Sequence, residues 1–196
     1  MVWGKAGSTT LSSGGDDVDI TCLSESKSRM IMSHMLNCGA AQNKVTFNNT
    51  GSGKYASRNE YNDCADTIHT CQNYVPHWDG NCNASNDQFV VSFLVDVCGQ
   101  EKLGVYWGID RGTAGAGNTI RSRNMAYKFV DTPKITRFDL NNTGAGDYGA
   151  DSNLSILGSG ITTGAAQDPT VTDGAIFYET DTNKEYVIYN GTWTEV

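Results

Sequence analysis

The stretch Gln88–Val97, QFVVSFLVDV, decides the fold class. Read as an extended strand, it sets Phe89, Val91, Phe93, Val95 and Val97 on one face. Val90, Ser92, Leu94 and Asp96 take the other, because successive side chains of a strand point to opposite sides. One face is wholly apolar and the other mostly so. β-Branched and aromatic residues such as Val90, Val91, Phe93 and Val95 suit a pleated surface. An apolar run of this kind predicts a central strand of a covered sheet, here in a β-sandwich. A buried helix is the competing reading, and the short β-branched segment suits it less well.

Working outward, Leu103–Asp110, LGVYWGID, alternates in the same way. Its bulky set Leu103, Val105, Trp107 and Ile109 is expected to face inward, with Tyr106 and Asp110 outward. Thr119–Val130 follows as a strand with Met125, Tyr127 and Phe129 on one face. Ser28–Leu36 divides into Met30, Met32, His34 and Leu36 against Arg29, Ile31, Ser33 and Met35, with the methionines read as adaptable core filler. Shorter strands are expected near residues 8–11, 18–21, 44–48, 54–58, 67–75, 135–140 and 153–157. Turn-forming runs separate them, such as Ser12–Asp16, Arg111–Asn118 and Asn141–Ser152.

The composition agrees with short strands joined by small polar turns. The chain has 196 residues, 22 of them glycine, and only 18% charged, so one all-β domain with a small appendage is expected. The main domain covers residues 1–158 and a small-residue linker covers 159–173. A three-strand β-meander then covers 174–196, with its second turn at Asn190-Gly191. So short a meander buries too little surface to stand alone and needs either the main domain or copies of itself from other chains. In a self-assembling protein its apolar residues Phe177, Tyr178, Tyr186, Tyr189 and Trp193, with Ile188, are expected to contact other subunits.

The net charge of −8 argues against a nucleic-acid partner, which needs basic side chains against phosphate. No run approaches the about 18–20 apolar residues of a membrane span. The opening MVWGKAGSTTL has no apolar core of a secretion signal. Six cysteines, Cys22, Cys38, Cys64, Cys71, Cys82 and Cys98, nevertheless suit disulfides in an oxidising setting, on a virion or an extracellular surface. Release inside a virus particle, a signal-independent route or prior processing would each reconcile the two. At ~3.3 Å per residue, a strand over Ser28–Leu36 holds Cys22 and Cys38 roughly 30 Å apart, beyond the ~7 Å span of a disulfide. Counting strand reversals brings Cys98 to the end of the sandwich that holds Cys38, so Cys38–Cys98 is the expected pair.

No catalytic constellation or cofactor motif is present, and none is expected. Gly112–Asn118 is glycine-rich but lacks the Lys-Ser/Thr ending of a phosphate cradle. Cys64, His69, Cys71 and Cys82 offer zinc-type donors without the paired Cys spacing, so no metal is expected there. Asp181, Asn183 and Glu185, and Asp139, Asp147 and Asp151, are oxygen-rich without a full calcium-loop pattern. Tyr74, His77, Trp78 and Asp79 sit in the long segment Asn59–Asp87, close to Asn81 and Asn83. Aromatic faces beside amides and carboxylates are what a host-surface glycan would need. The favoured reading instead packs Trp78 under its own loop, against the end of the sandwich. Candidate N-glycosylation sequons occur at Asn48, Asn83, Asn141, Asn153 and Asn190.

Three segments carry a resemblance. They are VWGKAGSTTLSSGGDDVDI at the start, EKLGVYWGIDRGTAGAGN in the middle, and ITRFDLNNTGAGDYGADSNLSILGSG. They resemble a family of small proteins from viruses and metagenomes of aquatic microbes. That family opens W-x-K-x-G-S-x-x-L, carries T-A-G-A-G-N and closes on an I-T-R segment and S-x-[LV]-x-[VI]-L-G. The tail DGAIFYETDTNKEYVIYNGTWTEV is similar to a C-terminal module of tail-fibre-like virion proteins. The resemblance implies a jelly-roll-like antiparallel β-sandwich and a structural role in a virus particle, as capsid, decoration or tail-fibre component. Its expected partners are copies of itself and other virion proteins. A carbohydrate-binding or adhesion module using the 74–83 loop is the alternative. The cysteine-rich segment 22–98 departs from the family pattern.

Overall fold

A computed structural model shows an all-β chain. It describes residues 3–36, 43–61, 66–75, 78, 87–111, 115–118, 120–144, 146–159, 174, 176–179, 184–189 and 192–196. Two compact units emerge, Met1–Thr162 and Thr163–Val196.

The first unit is an antiparallel β-sandwich. Its strands are β1 (Trp3–Thr10), β2 (Asp17–Ile20), β3 (Ser28–Met35), β4 (Asn43–Phe47), β5 (Tyr55–Tyr61), β6 (Thr67–Gln72), β7 (Gln88–Val95), β8 (Lys102–Asp110), β9 (Arg121–Phe129), β10 (Phe138–Asn142) and β11 (Asn153–Ser159). Eight form one sheet in the order β1-β11-β3-β7-β8-β9-β5-β6, and three form the other, β2-β10-β4. The first five strands alternate between the two sheets, as does the run β9-β10-β11. That is how a jelly-roll-like chain wraps one core.

The core lies between the sheets. Val18, Ile20, Val45, Phe47, Phe138 and Leu140 of the small sheet meet Ile31, Val90, Leu94, Tyr106, Tyr127 and Phe129 of the large one. Phe47 is the aromatic hub, with ring centroids of Phe129 at 5.3 Å, Phe138 at 5.5 Å, Tyr55 at 6.1 Å and Tyr127 at 6.3 Å. Tyr55 seals the β4 turn by accepting from the Phe47 amide at 2.9 Å and donating to the Thr50 carbonyl at 2.8 Å.

The central strand β7 is in place, flanked by β3 and β8, but it is covered on one face only. Val90, Ser92 and Leu94 are buried, while Phe89, Phe93 and Val95 reach solvent. The expectation for β8 is reversed outright. Tyr106 and Asp110 are buried, and Leu103, Val105, Trp107 and Ile109 point out. In β3 the buried set is Arg29, Ile31, Ser33 and Met35, so Met30 and Met32 lie half-buried on the outer face.

The reason is volume. Inward positions of β8 include Gly104 and Gly108. A methyl group at Gly104 would collide with the Tyr127 ring, and one at Gly108 with the Tyr106 phenol. Both tyrosines thus fill space that only a glycine backbone leaves open. Tyr127 is further held by Ser92. The Ser92 hydroxyl donates to the Val105 carbonyl at 2.8 Å, leaving its oxygen to accept from the Tyr127 hydroxyl at 2.8 Å.

One end of the sandwich is closed by buried charge. Arg29 and Asp96 are both inaccessible and pair at 2.9 Å. Arg29 also donates to the Ile135 carbonyl at 2.6 Å, and the Ile135 amide donates to Asp96. Beside them the buried Lys102 ammonium donates to the carbonyls of Gln100, Val97 and Thr132, at 2.6, 2.9 and 3.1 Å. Each buried charge is met by several partners, the condition for tolerating its desolvation.

The second unit is the three-strand sheet β12 (Ile176–Glu179), β13 (Lys184–Tyr189) and β14 (Thr192–Glu195), in that order.

Two stability measurements check this packing. Gly104→Ala should lower unfolding free energy in urea by about 1–3 kcal/mol through overpacking, while Gly117→Ala, with open space around it, should stay within about 0.5 kcal/mol. Asp96→Ala leaves the Arg29 charge buried without its carboxylate and should cost about 3–5 kcal/mol.

Candidate functional site

The inward tyrosines leave a consequence on the opposite side of the large sheet. Along β7 the outward residues are Phe89, Val91, Phe93 and Val95; along β8 they are Leu103, Val105, Trp107 and Ile109. Cross-strand register sets Phe89 opposite Ile109, Val91 opposite Trp107, Phe93 opposite Val105 and Val95 opposite Leu103. No charged side chain points outward from either run.

Exposure is high for such residues: 60% for Leu103, 51% for Trp107, 49% for Val95 and 42% for Phe89 and Val105. Met30 and Met32 extend the surface on β3, opposite Phe93 and Val91. Trp3 of β1 lies over the sheet and meets Phe93 edge-on at 6.4 Å; Phe93 meets Trp107 edge-on at 6.1 Å. At about 150–250 Å² for a whole large side chain, the exposed apolar residues leave roughly 700 Å² facing water. The largest patch on an ordinary monomer is about 300–600 Å².

The surface has relief. Trp3, Phe93, Val95, Leu103, Val105 and Ala126 wall an apolar groove of about 570 Å³. On the far side of Trp107 a smaller depression of about 290 Å³ is bordered by Arg58, Glu60, Asp66 and Asn124. Polar pairs stand outside the apolar area: Arg58 with Asp66, and Lys128 with Glu101 at 3.3 Å. An apolar centre with a polar rim is the anatomy of a protein–protein interface.

The residues singled out in the 74–83 loop do not form a platform among the described residues. Trp78 is fully buried, with the rings of Tyr106 at 5.1 Å and of Tyr127 and Phe138 at 5.7 Å around its indole. Its carbonyl accepts from Asn43, which also bonds Gln88 and Tyr148. A ring enclosed in this way has no face to offer a sugar. Tyr74 is half-buried with the Lys44 ammonium 4.8 Å from its centroid. His77 and Asp79 lie outside the described residues.

Cys22, Cys71 and Cys98 are exposed free thiols, and Cys38, Cys64 and Cys82 lie outside the described residues. The Cys38–Cys98 pairing is therefore not made. Strands β3 and β7 are antiparallel neighbours with Ser28 opposite Val95 and Met35 opposite Gln88. Cys98 thus follows the β7 end that faces the start of β3. The β3 end that leads to Cys38 is the other one, roughly 25 Å away at ~3.3 Å per residue.

Of the sequons, Asn48 is committed to structure. At φ 54° it donates to the Lys134 carbonyl at 2.9 Å and accepts from the Thr136 amide at 2.8 Å, tying β4 to the approach of β10. The Asn153 amide donates to the Thr10 hydroxyl and the Thr9 carbonyl, and that of Asn141 to Asp17. Asn83 and Asn190 lie outside the described residues. In the tail, Tyr178 is exposed, Tyr186 half-buried and Ile188 buried; the side chains of Phe177, Tyr189 and Trp193 are not described.

A carboxyl pair marks the outside of the small sheet. Asp19 and Asp139 are cross-strand partners, and Arg137 bonds both. Burial first, then the Asp139 charge, raises the Asp19 pKa to about 6, while Arg137 acts in the opposite sense. Neither acid belongs to a cluster of three or more metal-ligating side chains among the described residues.

No family model, curated protein or solved structure matches the chain. Short sequence motifs mark both ends of the first unit. Two of them, the W-x-K-x-G-S opening and S-x-[LV]-x-[VI]-L-G, lie side by side as the β1–β11 pair, Trp3 opposite Ser159 through Thr10 opposite Asn153.

The Asp19 shift predicts a pH effect with a definite sign. Its folded pKa of about 6 exceeds the ordinary 3.8, so the folded state binds the proton more tightly. Through this group stability rises as pH falls from about 6 towards about 4, and is lost on return. Asp19→Asn removes that dependence. The wild-type urea midpoint should therefore rise relative to that of the variant as pH falls from about 6 towards about 4; parallel curves would show that Asp19 titrates normally.

Proposed function

We propose that this chain is a non-enzymatic structural protein of a virus particle that self-assembles through the outer face of its large sheet. The single observation that carries the reading is the uncharged apolar face of β7 and β8, too large to leave in water on a lone subunit. Burying roughly 700 Å² at about 25 cal/mol per Å² supplies ample driving force for association, before its entropic costs. The virion setting is the expectation carried by the family motifs, and the capsid, decoration and fibre roles share this assembly requirement. The tail sheet, with Ile176 at 73% and Tyr178 at 49% exposure, offers a second assembly contact.

Sedimentation tests the assembly. The wild-type chain should gain mass with concentration, reaching at least a dimer by about 100 µM, and Phe93→Glu should hold it as a folded monomer. A wild-type chain that stays monomeric at that concentration overturns the reading. Mass spectrometry of purified virions tests the setting, where a structural protein appears at a copy number comparable with the other shell or fibre proteins.

A further inference from the structure

The outer face carries both a protrusion and a recess, and they lie on the same strand. Trp107 stands half-exposed on β8. Two residues back, Val105 lines the apolar groove with Phe93, Val95, Leu103, Ala126 and Trp3. A two-residue step along a strand is about 7 Å.

We propose that two copies stack outer face on outer face, each seating its Trp107 indole in the groove of the other. The proposal rests on the assembly reading above and specifies its geometry. A two-fold axis lying between the facing sheets and crossing β8 near Tyr106 exchanges residue 107 with the position of residue 105. Each indole then stands over the other copy's groove. Isologous contacts of this kind need a surface that complements itself, and a knob set one step from a hole meets that need.

Three observations favour a second copy over a different protein. The face carries no outward charge on β7 or β8, so it provides no complementarity to a charged partner and no like-charge repulsion against its own copy at the contact. Its area, roughly 700 Å², is close to the about 800 Å² that each partner contributes to a standard interface. The groove, at about 570 Å³, has room for an indole. Face-to-face sheets pack about 10 Å apart with side chains interdigitating, which these protrusions allow. A central aromatic in a dry pocket is the usual energetic anchor of such a contact.

The test uses the full chain in two variants, with folding confirmed by thermal unfolding. Trp107→Ala removes the knob and leaves the groove open. Ala126→Phe leaves the knob and fills the groove. Each alone should weaken self-association at least about tenfold. Mixed together they should associate more tightly than either does alone, because the remaining Trp107 meets the remaining open groove. If mixing gives no gain while Phe93→Glu still abolishes assembly, the face is used in another packing and the knob-and-groove geometry is overturned. If Phe93→Glu leaves the mass unchanged, the assembly reading of this face fails as well.

Discussion

The packing of Tyr127 against the bare backbone of Gly104 governs the rest of this structure. A sheet strand must send alternate side chains to opposite faces. Once Gly104 and Gly108 make room for two tyrosine rings on the inner face, the residues between them have no choice of side. Leu103, Val105, Trp107 and Ile109 go outward as a set, and a one-residue slip would reverse every one of them. The interior gains two large aromatics near Phe47 and Trp78; the exterior receives the displaced aliphatic surface. The apolar face is the counterpart of a well-filled core.

Buried charge reinforces that choice of side. Arg29 and Asp96 occupy inward positions at the start of β3 and just beyond β7, and Lys102 opens β8 from the same side. Arg29 and Lys102 donate to backbone carbonyls and Asp96 accepts from Arg29 and the Ile135 amide, so reversing the faces would strand charges without partners. A buried ion pair contributes little net stability over apolar packing. Its effect is to make wrong registers costly, which suits a fold whose two sheet faces are almost equally hydrophobic.

A strongly apolar outer face is a liability for an isolated subunit and an asset for a component of an assembly. In the proposed assembly the large sheet serves as both wall and contact surface: the inner face holds the fold and the outer face meets another copy. The acidic pair Asp19–Asp139 stands on the other sheet, away from that surface, and bears on stability rather than on contact.

Strand positions were legible in the sequence because alternation and turn chemistry are local properties. Lys102–Asp110, Arg121–Phe129 and the tail strands lie within a residue or two of where the pattern places them. The all-β sandwich follows from the same signals. Three matters were not legible in the chain alone: which face of β8 looks inward, where Cys98 lies relative to the strand end leading to Cys38, and whether Asn48 is free. Hydrophobicity by itself favours burying Leu103, Val105, Trp107 and Ile109. The presence of glycine at positions 104 and 108 was visible, but its meaning depends on Tyr127 arriving from a neighbouring strand. Local sequence determined the strands and the fold class, since those depend on period and turns. The tertiary structure alone decided which apolar surface was covered, because that depends on volumes that meet only when distant strands pair.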